Sequence, residues 1–312
     1  MNYVLIVLAL LLAALPSQVI EAGEAKKKIV LLAGKPSHGF GSHDHYAGCM
    51  LLAKCLNENV PGVEAIVHKH VWPTNADAFE GAAAIIIYCD GGGGHMAIPK
   101  LKELDEILKK GVGLGCIHYG VEVPKGDPGE AFLRWIGGYF ETHWSVNPHW
   151  VADFKEIPQH EITRGVKPFS TNDEWYYNMR FNEASKKVIP ILSAVPPDNT
   201  RKGKDGPHSG NPFVRENVGR KEHVVWAFER PEGGRGFGCT GGHVHWNWAQ
   251  DDFRKCILNA IVWIANMPVP EGGVPSKRPT VDDMLSNHDE AVPANFDKAK
   301  IEQRIEDMNK PR

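Results

Sequence analysis

The alternation of short apolar runs with helix-length segments is the feature that most constrains how this chain can fold. Runs of strand length lie at 27–34, 63–70, 82–90 and 111–117, and the run AAAIIIYCD at 82–90 is apolar almost throughout. Such a run is typical of a strand buried on both faces in a parallel sheet. The segments 43–59 and 98–111 have the length and apolar spacing of helices. The pattern therefore predicts an α/β fold with a mostly parallel sheet and helices on both faces.

The second half of the chain has a different pattern. Residues 124–220 are rich in aromatic residues, prolines and short extended runs, which predict an inserted strand and loop region over the sheet. The segments 222–230 and 234–242 then predict paired strands, and 251–266 predicts a closing helix. We therefore expect one domain over 26–268, followed by a polar C-terminal tail over 269–312 with a short helix near 294–308.

Residues 1–25 resemble a secretory signal peptide. The apolar run at 3–16 is followed by small residues before three lysines, which suggests cleavage after Ala22 or Ala25. The run is short for a membrane-spanning helix, so we expect no stable membrane insertion after cleavage. No lysine or arginine precedes the run, which leaves an uncleaved anchor as the alternative. The sequence thus predicts a secreted or periplasmic protein.

Charge and cysteine content restrict the classes of partner and site. A net charge of −3 provides no basic surface for nucleic acid, so we expect no nucleic-acid partner. Six cysteines in an exported chain permit disulfides, and their pairing stays open. The chain has no Cys-x-x-Cys pair, which argues against a structural zinc ribbon.

Polar residues, histidines above all, follow four of the predicted strands. Ligands of open parallel sheets bind outside the carboxyl ends of the strands, so these side chains are expected at one edge. They are His38, His43, Asp44 and His45 after the first strand, Asp90 and His95 after the third, His118, Tyr119 and Glu122 after the fourth, and His243, His245, Trp246 and Trp248 after the last. This predicts a histidine-rich cleft. It requires the rings to meet in one pocket and His118 to be reachable from solvent.

Roles can be assigned to these residues by chemistry. Histidine paired with a carboxylate is suited to general acid–base catalysis, and DEWYYNMRF at 173–181 adds two carboxylates. In this hypothesis Glu122 or Tyr119 orients His118, and tryptophans form flat walls against sugar rings, with burial in the core as their alternative fate. The predicted catalytic residues are His118, Glu122, His243, His245, Asp173 and Glu174, and the predicted substrate-binding residues are His95, Tyr119, Trp144, Trp175 and Trp246.

A divalent metal is the main variant of this hypothesis. The imidazoles of His38, His43, His118 and His243, together with a carboxylate, would suit zinc or a similar ion. Their spacing matches no short ligand motif, so the sequence does not decide whether a metal cofactor is bound. For the remaining histidines, including His208 and His288, an ordinary loop role is the simpler interpretation.

Five segments together resemble the ThuA-like (trehalose-utilisation) family, within the class I glutamine-amidotransferase-like superfamily. They are SHGFGSHDH, GVGLGCIHYGVE, GGYFETHW, DEWYYNMRF and HVVWAFERPEGGRGFGCTGGHVHWNW, and the resemblance covers about residues 27–267. It implies a flavodoxin-like, doubly wound sheet and a role in carbohydrate metabolism, such as processing of disaccharides or their 3-keto derivatives.

The resemblance also bears on the residue at the tip of the fourth strand. Amidotransferases of this superfamily carry a Gly-x-Cys-x-Gly elbow, and aligning its second glycine with Gly120 puts His118, not Cys116, at the nucleophile position. An imidazole is a poor substitute for a thiolate, so no glutamine amidotransferase activity is expected. The predicted function is a carbohydrate-active hydrolase or lyase with a small-molecule sugar substrate. The alternatives are a non-catalytic carbohydrate- or partner-binding module on a decayed fold, and a thiol hydrolase that uses Cys116.

Overall fold

A seven-stranded sheet organises the protein, as a computed structural model that describes residues 26–185 and 187–311 defines it. The strand order is β2-β1-β3-β4-β11-β10-β9. Neighbours from β2 to β11 pair in parallel, whereas β10 is antiparallel to both β11 and β9. The strands are β1 (Lys27–Ala33), β2 (Val63–Lys69), β3 (Ala82–Tyr88), β4 (Gly113–Ile117), β5 (Gly138–Tyr139), β6 (Trp150–Phe154), β7 (Phe169–Asp173), β8 (Arg180–Phe181), β9 (Val188–Ala194), β10 (Glu222–Glu229) and β11 (Arg235–Cys239). The predicted α/β flavodoxin-like fold is confirmed.

Helices cover both faces of the sheet because its central strands are apolar on both faces. In β1, Ile29 and Leu31 belong to one buried cluster, and Val30 and Leu32 belong to the other. Helices α1 and α5 pack into the first cluster, and α2 and α3 pack into the second. The helices are α1 (His45–Asn59), α2 (Leu101–Leu108), α3 (Asp127–Trp135), α4 (Pro212–Glu216), α5 (Asp251–Ile264), α6 (Val281–Leu285) and α7 (Lys298–Met308).

The inserted region forms two small antiparallel sheets, β5–β8 and β6–β7. The predicted insertion over 124–220 also contains an edge strand of the main sheet, because β9 at Val188–Ala194 pairs with β10. The aromatic and proline content of the region does not reveal this pairing, which is made through backbone groups. The β6–β7 hairpin matters for function because Glu174 follows directly after β7.

The C-terminal tail packs against the domain. It contains α7 and also α6, a short helix that the sequence analysis did not predict. Thr280 and Asp283 form a capping box that starts α6. Val281 and Met284 of α6 and Ile305 of α7 are buried in the same cluster as α1 and α5. The tail thereby reaches the loops that follow β1 and β11.

No helix within residues 26–185 and 187–311 is long and apolar enough to cross a bilayer. The predicted signal peptide over 1–25 lies outside the described residues. All six cysteines are buried and free.

Candidate metal centre at the sheet edge

Three histidines and one glutamate from four different loops meet at the carboxyl end of the sheet. His43 follows β1, His118 follows β4, His243 follows β11 and Glu174 follows β7. One ligand atom from each lies within 4.8 Å of the others. The separations are 3.0 Å between His43 Nε2 and His243 Nδ1, 3.0 Å between His43 Nε2 and His118 Nε2, 3.1 Å between His243 Nδ1 and Glu174 Oε2, and 3.5 Å between His118 Nε2 and Glu174 Oε2. We call these four residues the histidine cluster.

Strained backbone holds two of these rings in place. His43 has φ 51° and His118 has φ 53°, in the left-handed region that non-glycine residues rarely adopt. Such strain costs about 1–3 kcal/mol per residue and is concentrated at functional sites. For His118 the strain is located where β4 ends and a 3-10 turn begins. The turn keeps the ring against the cluster.

Hydrogen bonds on the far side of two rings fix where their protons lie. His118 Nδ1 lies 2.8 Å from the carbonyl oxygen of Thr240, which only accepts hydrogen bonds, so Nδ1 carries a hydrogen. His43 Nδ1 lies 2.9 Å from Asp90 Oδ1 and donates in the same way. In the neutral rings both Nε2 atoms therefore present a lone pair to the cluster. Metal-binding histidines typically have such outer partners.

Two lone pairs that face each other at 3.0 Å repel, and either a proton on one of the rings or a bound cation relieves the repulsion. A proton on His118 is disfavoured, because burial above all and then the charge of a protonated His43 lower its pKa well below the ordinary value. Three nitrogens and a carboxylate oxygen form a donor set that zinc prefers, and ligands of tetrahedral zinc are roughly 3.3–3.4 Å apart. The residues present therefore fit a divalent cation.

Asp173, which was predicted to be a catalytic acid–base group, is a positioning residue. It is completely buried, and four donors hold its carboxylate. These are the backbone N–H groups of Glu174, Gly242 and Val244 and the side-chain amide of Asn247, at 2.9, 2.8, 3.1 and 2.9 Å. By tying the β7 end to the loop after β11, Asp173 brings Glu174 to His243.

His118 does not reach the solvent, contrary to the sequence-based requirement. Its exposure is 0%, whereas the side chains of His243 and Glu174 are 11% and 14% exposed. A fully buried ring cannot exchange protons directly with a substrate in the cleft. The structure thus corrects the proposed acid–base role of His118 and leaves it suited to ligation.

Glu122 and Tyr119 do not orient His118 as expected. Glu122 is buried and pairs instead with His208, whose Nε2 lies 2.9 Å from Glu122 Oε1. His208 therefore has a specific partner rather than the ordinary loop role assigned to it. The hydroxyl of Tyr176 lies 3.2 Å from His118 Nε2. Tyr119 lies beside the cluster, with its ring 5.8 Å from that of His43.

Two predicted site histidines point away from the cluster. His95 is buried, and its Nε2 lies 3.1 Å from the carbonyl oxygen of Gly120, so it links two loops. His245 is buried too, and its Nε2 lies 2.8 Å from the carbonyl oxygen of Met284 in the tail. The chain enters a 3-10 turn at His245, which turns this ring away from that of His243.

The tryptophans predicted to form sugar-binding walls have other partners. Trp175 is fully buried against Phe154 and Phe253. Trp246 is buried beneath the tail, next to Phe296. Trp144 lies under the guanidinium of Arg180 at 3.7 Å. For Trp175 and Trp246 the alternative, burial in the core, is the one observed, whereas Trp144 is half-buried and lines a small cavity.

The position of Cys116 is inconsistent with the thiol-hydrolase alternative. It lies within β4 and is completely buried, and burial raises the pKa of its thiol well above the ordinary value. A buried, protonated thiol is not a nucleophile. His118 stands at the strand end, as the elbow alignment implied.

Three residues to which the sequence analysis gave no role complete the site, and of these only Asp90 was placed at the sheet edge. Asp90 binds His43 and also accepts a hydrogen bond of 2.8 Å from Ser37 Oγ. Its position directly after β3 is the sequence feature from which its role at the site could have been predicted. Tyr176 and the carbonyl of Thr240 gave no such signal, because their roles depend on how loops cross. The predicted ligand His38 is exposed, with its ring 3.7 Å from that of His43, and Glu174 takes its place in the cluster.

A cavity of about 500 Å³ opens beside the cluster. Asp90 and Tyr119 line it, together with Lys35, His70 and Met96. Asp90, which is bonded to His43, lies between this cavity and the cluster. Its volume is in the range of small-molecule sites. Burial and then Glu122 raise the pKa of Tyr119 to about 12, so its hydroxyl stays protonated and can donate to a ligand.

The fold and the cluster define a flavodoxin-like α/β protein with a histidine–carboxylate centre. The chain belongs to the ThuA family, described as trehalose utilisation, whose signature matches residues 30–264. No curated protein sequence matches it. A ThuA-like protein from Bacteroides uniformis has a similar structure, with TM-score 0.54, 15% identity, and coverage of 77% of this chain and 92% of that chain. A ThuA-like protein from Parabacteroides merdae has TM-score 0.51, 13% identity, and coverage of 83% and 99%.

The pair of His208 and Glu122 predicts a pH dependence of stability. The hydrogen bond to Glu122 raises the pKa of His208, so the protonated ring stabilises the fold. This contribution is complete below the unfolded value of about 6.5 and is lost as the pH rises through the raised folded value. Because the His208 side chain is 34% exposed, water limits the effect to about 1 kcal/mol.

Urea unfolding of wild type and His208→Gln between pH 5 and 9 tests this. The difference in unfolding free energy should be largest at the acidic end and should shrink toward pH 9. A difference that is constant across this range, or that grows with pH, would contradict the assignment.

Proposed function

We propose that this protein is a metal-dependent enzyme that processes disaccharides or their keto derivatives, as a hydrolase or lyase. The observation that carries the proposal is the convergence of His43, His118, His243 and Glu174, whose ligand atoms all lie within 4.8 Å of one another. The trehalose-utilisation family supports the sugar substrate class. Secretion remains part of the proposal and rests on the pattern of residues 1–25 alone.

In this proposal His43, His118, His243 and Glu174 hold the ion. A bound divalent ion would supply Lewis-acid polarisation of a carbonyl or hydroxyl oxygen of the sugar. Asp90 and Thr240 keep the ring protons on the far nitrogens, so that the near nitrogens stay free to ligate.

Other side chains beside the cluster would handle the substrate. Tyr119 offers a protonated hydroxyl to a sugar oxygen. His38 is the exposed imidazole next to the cluster, with its Nδ1 2.9 Å from Ser37 Oγ. We assign to His38 the proton exchange with the substrate that the sequence analysis gave to His118.

The binding-module alternative has less support. It relied on the tryptophans, and two of the three predicted to bind substrate, Trp175 and Trp246, are buried. A fixed set of four ligands at the edge of a cavity is also more than sugar binding requires.

Removal and return of the metal tests the proposed function. Protein purified without a histidine tag and dialysed against a chelator should turn over a panel of disaccharides and 3-keto-disaccharides at least 100-fold more slowly than protein dialysed without it. Loss of several kcal/mol of Lewis-acid stabilisation accounts for that factor. Added zinc should restore the rate.

Two results would contradict the proposal. Equal turnover by metal-free and zinc-loaded protein would show that the chemistry needs no metal. Calorimetric binding of a disaccharide without conversion, in the zinc-loaded protein, would favour a binding module.

A further inference from the structure

A second group of potential ligands lies behind the histidine cluster, where the tail crosses the domain. It consists of Asp44, His245 and His288, with one ligand atom from each within 4.8 Å of the others. Asp44 adjoins His43 in sequence, and His245 is two residues from His243, so the segments after β1 and β11 contribute to both groups. His288 comes from the tail between α6 and α7 and lies outside the family match at 30–264.

Four polar atoms of this group make no hydrogen bond although they are buried. The side chains of Asp44 and His288 are 4% and 3% exposed, and His245 is 1% exposed. Within the described part of the chain, Asp44 Oδ2, His245 Nδ1 and both ring nitrogens of His288 make no hydrogen bond. Leaving a buried polar group unpaired costs about 1–3 kcal/mol. Several such atoms together indicate that a ligand belongs among them.

The position of each of the three side chains also favours a bound cation. Asp44 stands at the N-cap position of α1, yet its side chain does not cap the helix. His245 Nε2 must carry a hydrogen to bond the carbonyl of Met284, which leaves a lone pair on Nδ1. His288 Nδ1 lies 3.2 Å from Asp44 Oδ1 without forming a hydrogen bond. A carboxylate and two imidazoles are a common donor set for divalent transition metals.

We propose that Asp44, His245 and His288 form a second divalent-cation site that fastens the tail to the loops carrying His43 and His243. The neighbouring contacts suit this role. Asp289, which follows His288, pairs with Lys69 and His70, each at 2.6 Å, so this part of the tail is also held in place. The ring of His288 is stacked on that of Trp246, with centroids 5.9 Å apart.

Zinc content after gel filtration tests this site with His288→Phe. Phenylalanine keeps an aromatic ring beside Trp246 and removes both nitrogens. We expect His288→Phe to hold one zinc per chain fewer than wild type, and we expect trypsin to cleave its tail at least 10-fold faster. His288→Cys, which restores a ligand, should regain the zinc.

The comparison with His118→Ala separates this site from the histidine cluster. If both sites exist, each variant loses one zinc and the double variant loses two. If His288→Phe retains the zinc content of wild type, the second site is refuted and Asp44 and His288 form only an ion pair. If His118→Ala retains the zinc content of wild type while His288→Phe loses one zinc, the metal centre of the proposed function is refuted and the second site is supported.

Discussion

Replacement of His118 by alanine is expected to weaken zinc binding at the histidine cluster by more than 100-fold and to abolish turnover. His118 supplies one of four ligands, and its Nε2 is 3.0 Å from His43 Nε2 and 3.5 Å from Glu174 Oε2. Loss of an outer partner of a ligand costs about 10–100-fold in metal affinity, so loss of the ligand itself must cost more. Competition with a chromophoric chelator measures the affinity.

His68→Ala is the matched control, since it also removes an imidazole but lies on β2 outside the cluster. It should bind zinc like wild type. Far-ultraviolet circular dichroism of His118→Ala should remain that of the folded protein, which separates lost ligation from lost folding. A folded His118→Ala protein with wild-type zinc affinity would refute the role of His118 as a ligand.

Asp173→Ala is expected to destabilise the protein by about 3–5 kcal/mol, because buried donors that lose their acceptor carry most of the penalty. The four donors to Asp173 come from two loops, at 174 and at 242–247. Both Glu174 and His243 depend on these loops, so zinc affinity should fall as well. Urea unfolding measures the first effect and chelator competition the second.

Two further variants sharpen the Asp173 test. Asp173→Asn keeps the volume but turns an amide toward some of the donors, so most of the destabilisation should persist without any cavity. Asp198→Ala changes an exposed carboxylate and should cost less than about 0.5 kcal/mol. If Asp173→Asn were as stable as wild type, the hydrogen bonds would not be what holds the loops.

The sheet could be predicted from the sequence because its strands carry their own signal. In β1 and β3 both alternating sets of residues are apolar, which only a strand covered on both faces can satisfy. The edge strand β9 was missed for the opposite reason. Its pairing with β10 depends on backbone hydrogen bonds, and its sequence resembles the inserted region around it.

The position of the site could also be predicted, since side chains after parallel strands must share an edge. His43, His118 and His243 were found in this way. The direction of each ring could not be predicted. His243 and His245 are two residues apart, yet the turn that begins at His245 sends them into different groups.

The identity of the carboxylate in the histidine cluster was the hardest feature of the site to predict. Asp173 and Glu174 are adjacent in the sequence and chemically alike, but one is buried among four donors and the other reaches His243. The β6–β7 hairpin carries both, and nothing in its sequence states where it packs on the main sheet.

The most direct measurement is anomalous X-ray scattering from crystals of tag-free protein grown with zinc, with data collected on both sides of the zinc absorption edge. We predict a peak within about 2.0–2.2 Å of His43 Nε2, His118 Nε2, His243 Nδ1 and a Glu174 oxygen. A zinc-containing crystal in which these four side chains keep their arrangement but show no peak between them would contradict the account.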